Sequence, residues 1–75
     1  MMTIEQALAL TPGGFKLMHF AGDEDIATWR DRNGNQIYTG PNGVYVQFNG
    51  EWSDNRKTID EAISWLNDKK KWWGK

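Results

Sequence analysis

The middle of the chain alternates between apolar and polar positions in short runs, and residues that favour turns separate these runs. The turn residues are Asn33-Gly34, Pro41-Asn42-Gly43 and Asn49-Gly50, types that accept positive φ or close a hairpin. Runs of this length with a period of two indicate β-strands. We therefore predict an antiparallel meander of four or five strands, at residues 15–20, 26–31, 36–39, 44–48 and 51–53.

A helix is predicted on each side of the meander, since two segments match the capping box. Thr3-Ile4-Glu5-Gln6 and Thr58-Ile59-Asp60-Glu61 each place Gln or Glu three residues after a threonine, so that each of the two side chains bonds the other residue's backbone N–H. The first helix ends by Leu10, ahead of Pro12, and the second ends at Gly74. The apolar face of the second helix follows the spacing of Ile59, Ala62, Ile63, Leu66 and Lys70.

These elements predict an α+β fold: a short N-terminal helix, a four- to five-stranded antiparallel meander, and a C-terminal amphipathic helix packed on one sheet face. Seventy-five residues suit one small domain, residues 1–75. The absence of cysteine excludes disulfides, thiolate metal sites and thiol nucleophiles. The core must come from packing, for which five tryptophans, two tyrosines and three phenylalanines are available. A homo-oligomer is the alternative remedy for so small a core.

The register of the hairpin at Asn33-Gly34 decides which aromatic ring is buried. A two-residue type I′ turn would pair Trp29 with Tyr38, whereas a three-residue turn with Gly34 in the left-handed region would pair Trp29 with Ile37. Asp31 at the first turn position and glycine at the fourth favour the three-residue form. A one-residue change in register moves every side chain of the strand to the other face.

The same two turn forms are open at Asn49-Gly50. In the bulged form, Trp52 shares a face with Val44 and Val46. In the first strand, simple alternation places Phe15, Leu17 and His19 on one face and Lys16, Met18 and Phe20 on the other.

The charges are unevenly distributed although the net charge is only −1. Residues 1–68 hold ten acidic and five basic residues, a sum of −5, and residues 69–75 hold the other four basic residues. The first residues lack a basic segment followed by an apolar one, and no apolar run approaches the ~18 residues of a membrane span. We expect a cytoplasmic protein with a basic aromatic tail and no membrane contact.

Candidate catalytic and metal-binding residues are few. His19 is the only histidine, and no nucleophile or orienting carboxylate stands at a telling distance from it in the sequence. Asp23-Glu24-Asp25 offers too few ligands for Ca²⁺ and is typical of a solvated turn. Asp31-Arg32-Asn33-Gly34-Asn35 begins like a calcium loop, but Gln36 stands where that loop needs glycine. We expect no enzymatic activity, no cofactor and no metal.

Binding of another protein is the function that these observations favour. Tyrosine and tryptophan are frequent anchors of protein interfaces, and the acidic residues Asp23, Glu24 and Asp25 would steer a basic partner. The size suits a phage- or plasmid-type accessory protein that inhibits a host or defence factor. The predicted anchors are the aromatic residues that the core does not need, drawn from Tyr38, Tyr45, Trp52, Trp65 and Trp72.

Nucleic-acid binding is the alternative, through the open sheet face and the basic tail. Lysine neutralises phosphates and aromatic rings stack on bases. In a competing interpretation, Trp73 stands seven residues after Leu66 and only extends the core. The candidate nucleic-acid contacts are Arg30, Arg32, Lys69, Lys70, Lys71 and Trp72.

The order of elements from Ile26 to Leu66 loosely resembles two groups of DNA-binding domains that lay a sheet backed by a helix in the major groove. These are domains of plant transcription factors and of phage-type integrase arms. The α-β-β-β-α order is also similar to double-stranded RNA-binding domains, although the last helix here begins with acidic residues. Each resemblance is one of element order, so it assigns no site residue.

Overall fold

A computed structural model describes the backbone of residues 2–73 and the side chains of residues 2–72, and it confirms the α+β fold. The five strands form one antiparallel sheet in the order β1-β2-β3-β4-β5. The predicted helix end at Gly74 and the predicted core position of the Trp73 side chain lie outside the described residues. The elements are α1 (Ile4–Leu10), β1 (Phe15–Ala21), a 3-10 turn (Gly22–Glu24), β2 (Ile26–Asp31), β3 (Gln36–Gly40), β4 (Gly43–Phe48), β5 (Glu51–Trp52) and α2 (Ile59–Trp73).

Trp29 lies at the centre of the core and is fully buried. Its indole Nε1–H donates to the Thr11 hydroxyl at 2.9 Å, and that hydroxyl donates to the carbonyl oxygen of Ala7 at 3.1 Å. The end of α1 therefore sits on the face of the sheet that carries Trp29. The helix α2 packs on β3 and β4 and adds Ala62 and Leu66 to the same cluster. Both helices cover one face of the sheet, and the other face is open.

The β2–β3 hairpin has the predicted three-residue form. Trp29 pairs with Ile37, the N–H of Asp31 donates to the carbonyl oxygen of Asn35 at 2.9 Å, and Gly34 has φ 87°. The side chain of Asp31 closes the turn, because one of its oxygens accepts the N–H groups of Asn33 and Asn35, each at 2.9 Å. Asp and Gly at the turn positions thus fix the face on which Trp29 lies.

The Asp31 carboxylate is 7% exposed and lies 3.7 Å from the Lys70 ammonium near the end of α2. Burial alone raises the pKa of this carboxyl, but hydrogen bonds from Asn35 and Asn33 and the charge of Lys70 lower it more. The pKa of Asp31 in the folded protein therefore lies below its ordinary value of 3.8. The same group ties the hairpin to the helix.

The β4–β5 hairpin takes the tight form. Asn49 and Gly50 both have positive φ, 56° and 84°, and Gln47 pairs with Trp52, as in a two-residue I′ turn. Trp52 consequently points away from the buried Val46. The next residue, Ser53, takes the position that the bulged form would have given to Trp52. Its hydroxyl accepts the N–H of Val46 at 3.0 Å.

The alternation predicted for β1 is wrong after Leu17, because a β-bulge interrupts the pairing between Leu17 and His19. Leu17 pairs with Trp29, but Phe20 rather than His19 continues the same face, opposite Ala27. His19 is exposed and Phe20 packs against the core. A bulge adds one residue to one strand and so exchanges the two faces beyond it.

The two helix starts differ in how far they follow the capping box. At α1 both predicted bonds are present, between Thr3 and Gln6. At α2 Thr58 accepts the N–H of Glu61, but the Glu61 carboxylate accepts the N–H of Lys57 instead of returning to Thr58. Within residues 2–73 no helix is both long and apolar enough to cross a membrane.

The helix α1 buries little of its apolar surface. Only Ala7 is fully buried in this helix, whereas Ile4 and Leu8, on the same helical face, are 46% and 58% exposed. Short helices of this kind depend on their caps and on a few tertiary contacts. The contacts of α1 with the sheet therefore come mainly from Ala7 and from the Thr11 hydroxyl.

The segment that follows β5, residues 53–56, is here called the strap. It forms hydrogen bonds with the start of β4 and with the β3–β4 turn. Val44 and Arg56 exchange two backbone hydrogen bonds, at 2.8 and 2.7 Å, and the Asn55 amide donates to the carbonyl oxygen of Asn42. Gly43 has φ 132°, and a Cβ at this position would collide with the Asn55 side chain. The backbone conformation thus favours glycine at position 43, and a Cβ there would also displace the Asn55 amide.

Gly43→Ala is expected to lower the free energy of unfolding by about 1–3 kcal/mol, since it combines a strained φ with a steric clash. Urea denaturation followed by circular dichroism measures this loss. Gly13→Ala is the matched control, because a Cβ at Gly13 has no atom within 4 Å. Equal stability of the two variants would contradict the preference for glycine at position 43.

Asp31→Asn is expected to destabilise the domain at neutral pH and to lose that effect in acid. Because the folded-state pKa is lowered, the stabilisation by Asp31 is present above 3.8 and is lost as the pH falls through the folded-state value. Unfolding free energies of the wild type and the variant, measured from neutral pH downward, should therefore converge. A difference that stays constant into strong acid would refute the role of the ionised carboxylate.

Candidate functional site

The open face of the sheet is the face that neither helix covers. Strand pairing places its side chains in two rows that run across the sheet. Paired residues of antiparallel strands project to the same side. The first row consists of Lys16, Arg30, Gln36, Gln47 and Trp52. The second row consists of His19, Thr28, Tyr38 and Tyr45.

Three of the five predicted aromatic anchors meet on this face. Tyr38 and Tyr45 form a cross-strand pair with ring centroids 6.1 Å apart and ring planes tilted by 48°. Trp52 lies across from Gln47, the second residue after Tyr45, and is 50% exposed. Aromatic side chains present a large contact area at a low cost in conformational entropy. The three rings form a patch that another molecule can cover.

Three cations gather at the end of the open face nearest the β2–β3 turn. Lys16 and Arg30 pair directly across β1 and β2, and Arg32 follows in the turn. Together with Gly14, Met18 and Asp31 they line a groove. Of the predicted nucleic-acid contacts, the structure brings Arg30 and Arg32 together here.

The acidic residues Asp23, Glu24 and Asp25 lie at the opposite end of the strands, between β1 and β2. Asp23 and Glu24 are exposed in the 3-10 turn. Asp25 has a left-handed backbone, and its carboxylate accepts the N–H of Met2. Asp25 thus holds the N-terminal segment against the sheet. Its role in steering a partner, like that of its two neighbours, stays a prediction.

The remaining predicted anchors, Trp65 and Trp72, lie on α2 and not on the open face. Trp65 is half-buried against the core, and the Lys69 ammonium stands 5.2 Å from its ring centroid. Trp72 is 76% exposed. The contact of Lys70 with Asp31 brings the lysine segment of α2 to the same end of the molecule as Arg32.

Sequence reasoning did not name Lys16, Met18 and Gln47 as members of this surface, whereas the three-residue turn already placed Gln36 on the same face as Tyr38. Lys16 and Gln47 belong to it through strand pairing, which single residues in a sequence do not reveal. Met18 is the unpaired residue of the bulge and lines the groove. The position of Lys16 could have been predicted, since alternation along the strand places it on the other sheet face from Phe15 and Leu17. Within the part of the chain that the structure describes, no three His, Asp or Glu side chains form a group that could hold a metal ion. The side chains that the strands place on the open face include aromatic rings, amides and cations.

Comparison with known proteins gives no match to a family model, to a curated protein or to a solved structure.

Trp52→Ala is expected to leave the fold intact and to cost about 1 kcal/mol of stability, because half of the ring is already in water. Trp29→Ala, which empties the centre of the core, should cost about 3–5 kcal/mol. Urea denaturation followed by circular dichroism compares the two. Similar losses would mean that Trp52 belongs to the core and is not available to a partner.

Proposed function

We propose that this domain is a non-catalytic protein-binding module that uses its open sheet face. The observation that supports this function is the gathering of Tyr38, Tyr45 and Trp52 on the one sheet face that no helix covers. Interface hot spots are enriched in tyrosine and tryptophan and cluster together. The amides of Gln36 and Gln47 lie in the adjoining row and supply the hydrogen-bonding groups that protein interfaces need.

The surroundings of His19 favour binding over catalysis. Across the strands its neighbours are Thr28 and then Tyr38. No carboxylate belongs to this row to orient the imidazole, and an acid–base site needs such a geometric partner. We therefore assign His19 to the contact surface, at the side opposite Trp52.

A small binding module of this kind suits an accessory protein that blocks its target by covering it. We propose a phage- or plasmid-type inhibitor of a host or defence factor as its biological context, on the grounds of its size. A protein partner that masks an active surface needs only contact area and complementarity. The open face offers contact area on one continuous sheet.

Affinity capture from the native host, followed by mass spectrometry, tests the proposed face through paired variants. Tyr45→Ala combined with Trp52→Ala should release the captured protein, with a loss of at least about tenfold in affinity, as expected for two anchors. Leu8→Ala is the control, because Leu8 is 58% exposed, close to the 50% of Trp52, but lies on α1, on the covered side. Nuclease treatment of the lysate removes bridging nucleic acid. A partner lost with Leu8→Ala and kept with the double variant would overturn the proposal.

Nucleic-acid binding is the second candidate function, and one observation favours it. The Lys70–Asp31 contact brings Lys69, Lys70 and Lys71 to the end of the molecule that carries Arg32. A phosphate backbone that followed the groove of Lys16 would meet these lysines. Such binding would weaken steeply with added salt.

A further inference from the structure

We propose that the partner of the open face presents an acidic segment, whose carboxylates bind at the groove formed by Lys16, Arg30 and Arg32. This inference rests on the proposed function and names the chemistry of the partner. The groove lies beside the aromatic patch, on the same side of the sheet. A partner that covers the tyrosine pair therefore reaches the cations as well.

The charges of the open face have one sign. None of the described strand positions that alternate onto this face is acidic, whereas Lys16 and Arg30 are both cationic. The carboxylates within the strands, Asp31 and Glu51, pair with Phe15 and Phe48, which are residues of the covered side. Asp31 also lines the groove. The oxygens of Asp31 already accept hydrogen bonds from Asn33 and Asn35, and one of them forms an ion pair with Lys70.

The direct pairing of Lys16 with Arg30 points to an anion from outside the chain. Like charges placed opposite each other across two strands destabilise a sheet. Among the described residues no carboxylate lies within ion-pair distance of Lys16, Arg30 or Arg32. An acidic group that lies over this pair would remove the repulsion and form charge-assisted hydrogen bonds with the guanidinium groups.

The opposite end of the sheet would set the orientation of such a partner. Asp23 and Glu24 are exposed there and would repel an acidic segment, while the three cations attract it. Complementary potentials of this kind accelerate association and fix the orientation of docking. The acidic segment would therefore lie over the end of the sheet that carries Arg32.

The face suits a protein segment better than a nucleic acid. Only two cations lie on the strands of the face, and residues 1–68 sum to −5, whereas nucleic-acid affinity depends on many phosphate contacts. The planes of Tyr38 and Tyr45 are tilted by 48° to each other, so the two rings do not form the coplanar platform on which successive bases stack.

Titration of the full chain with a short poly-glutamate peptide, followed by NMR, tests this inference. Shifts should concentrate on Lys16, Arg30 and Arg32, and they should weaken with added salt. Arg30→Glu should reduce the affinity for the peptide by about tenfold. Lys57→Glu is the matched control, since it makes the same charge change on an exposed lysine next to α2, and it should leave the affinity within about twofold.

The outcomes separate this inference from the proposed function. Equal loss of affinity in Arg30→Glu and Lys57→Glu, or shifts confined to α2, would refute the acidic partner. Tighter binding of oligo-dT than of poly-glutamate at physiological salt would also refute it, in favour of nucleic acid. If a captured host protein requires Tyr45 and Trp52 but binds Arg30→Glu normally, the inference fails and the proposed function stands. If capture requires neither aromatic residue, the proposed function fails.

Discussion

The bonds that the Asp31 carboxylate accepts from the β2–β3 turn fix the register on which the rest of the structure depends. With Asp31 opposite Asn35, Trp29 falls on the covered face and Tyr38 on the open one. Trp29 then fills the core and holds the end of α1 through Thr11. A shift of one residue would exchange the buried and open faces of the strand. The core and the candidate binding surface are thus two results of one turn.

Much of this fold could be predicted from local signals. Two kinds of signal act over only a few residues and can be recognised in the sequence. They are Asp31 and Gly34 of the β2–β3 turn and the threonine caps of both helices. The bulge in β1 cannot be recognised in this way, because nothing in Leu17-Met18-His19 marks the extra residue. The form of the turn at Asn49-Gly50 was equally open, since the positions of Ser53 and Trp52 depend on the neighbouring strand β4.

Individual residues of the candidate surface could be predicted from the sequence, but their joint position on one sheet face could not. Tyrosine and tryptophan are natural anchors, and Tyr38, Tyr45 and Trp52 were identified on that basis. Their joint position and the pairing of Lys16 with Arg30 arise from strand register, which combines residues far apart in sequence. The separation of charge between the two ends of the sheet has the same origin. A net charge of −1 conceals a surface with a basic end and an acidic end.

The bulge between Leu17 and His19 also has a consequence for how this sheet meets other strands. β1 is one of the two outer strands, and the other, β5, has only two residues. Bulges, lysines and short length are the means by which sheets avoid growing by edge-to-edge pairing. β1 combines a bulge with Lys16, and β5 is too short to template a neighbour. The backbone of an incoming chain therefore finds little to pair with at either edge of the sheet.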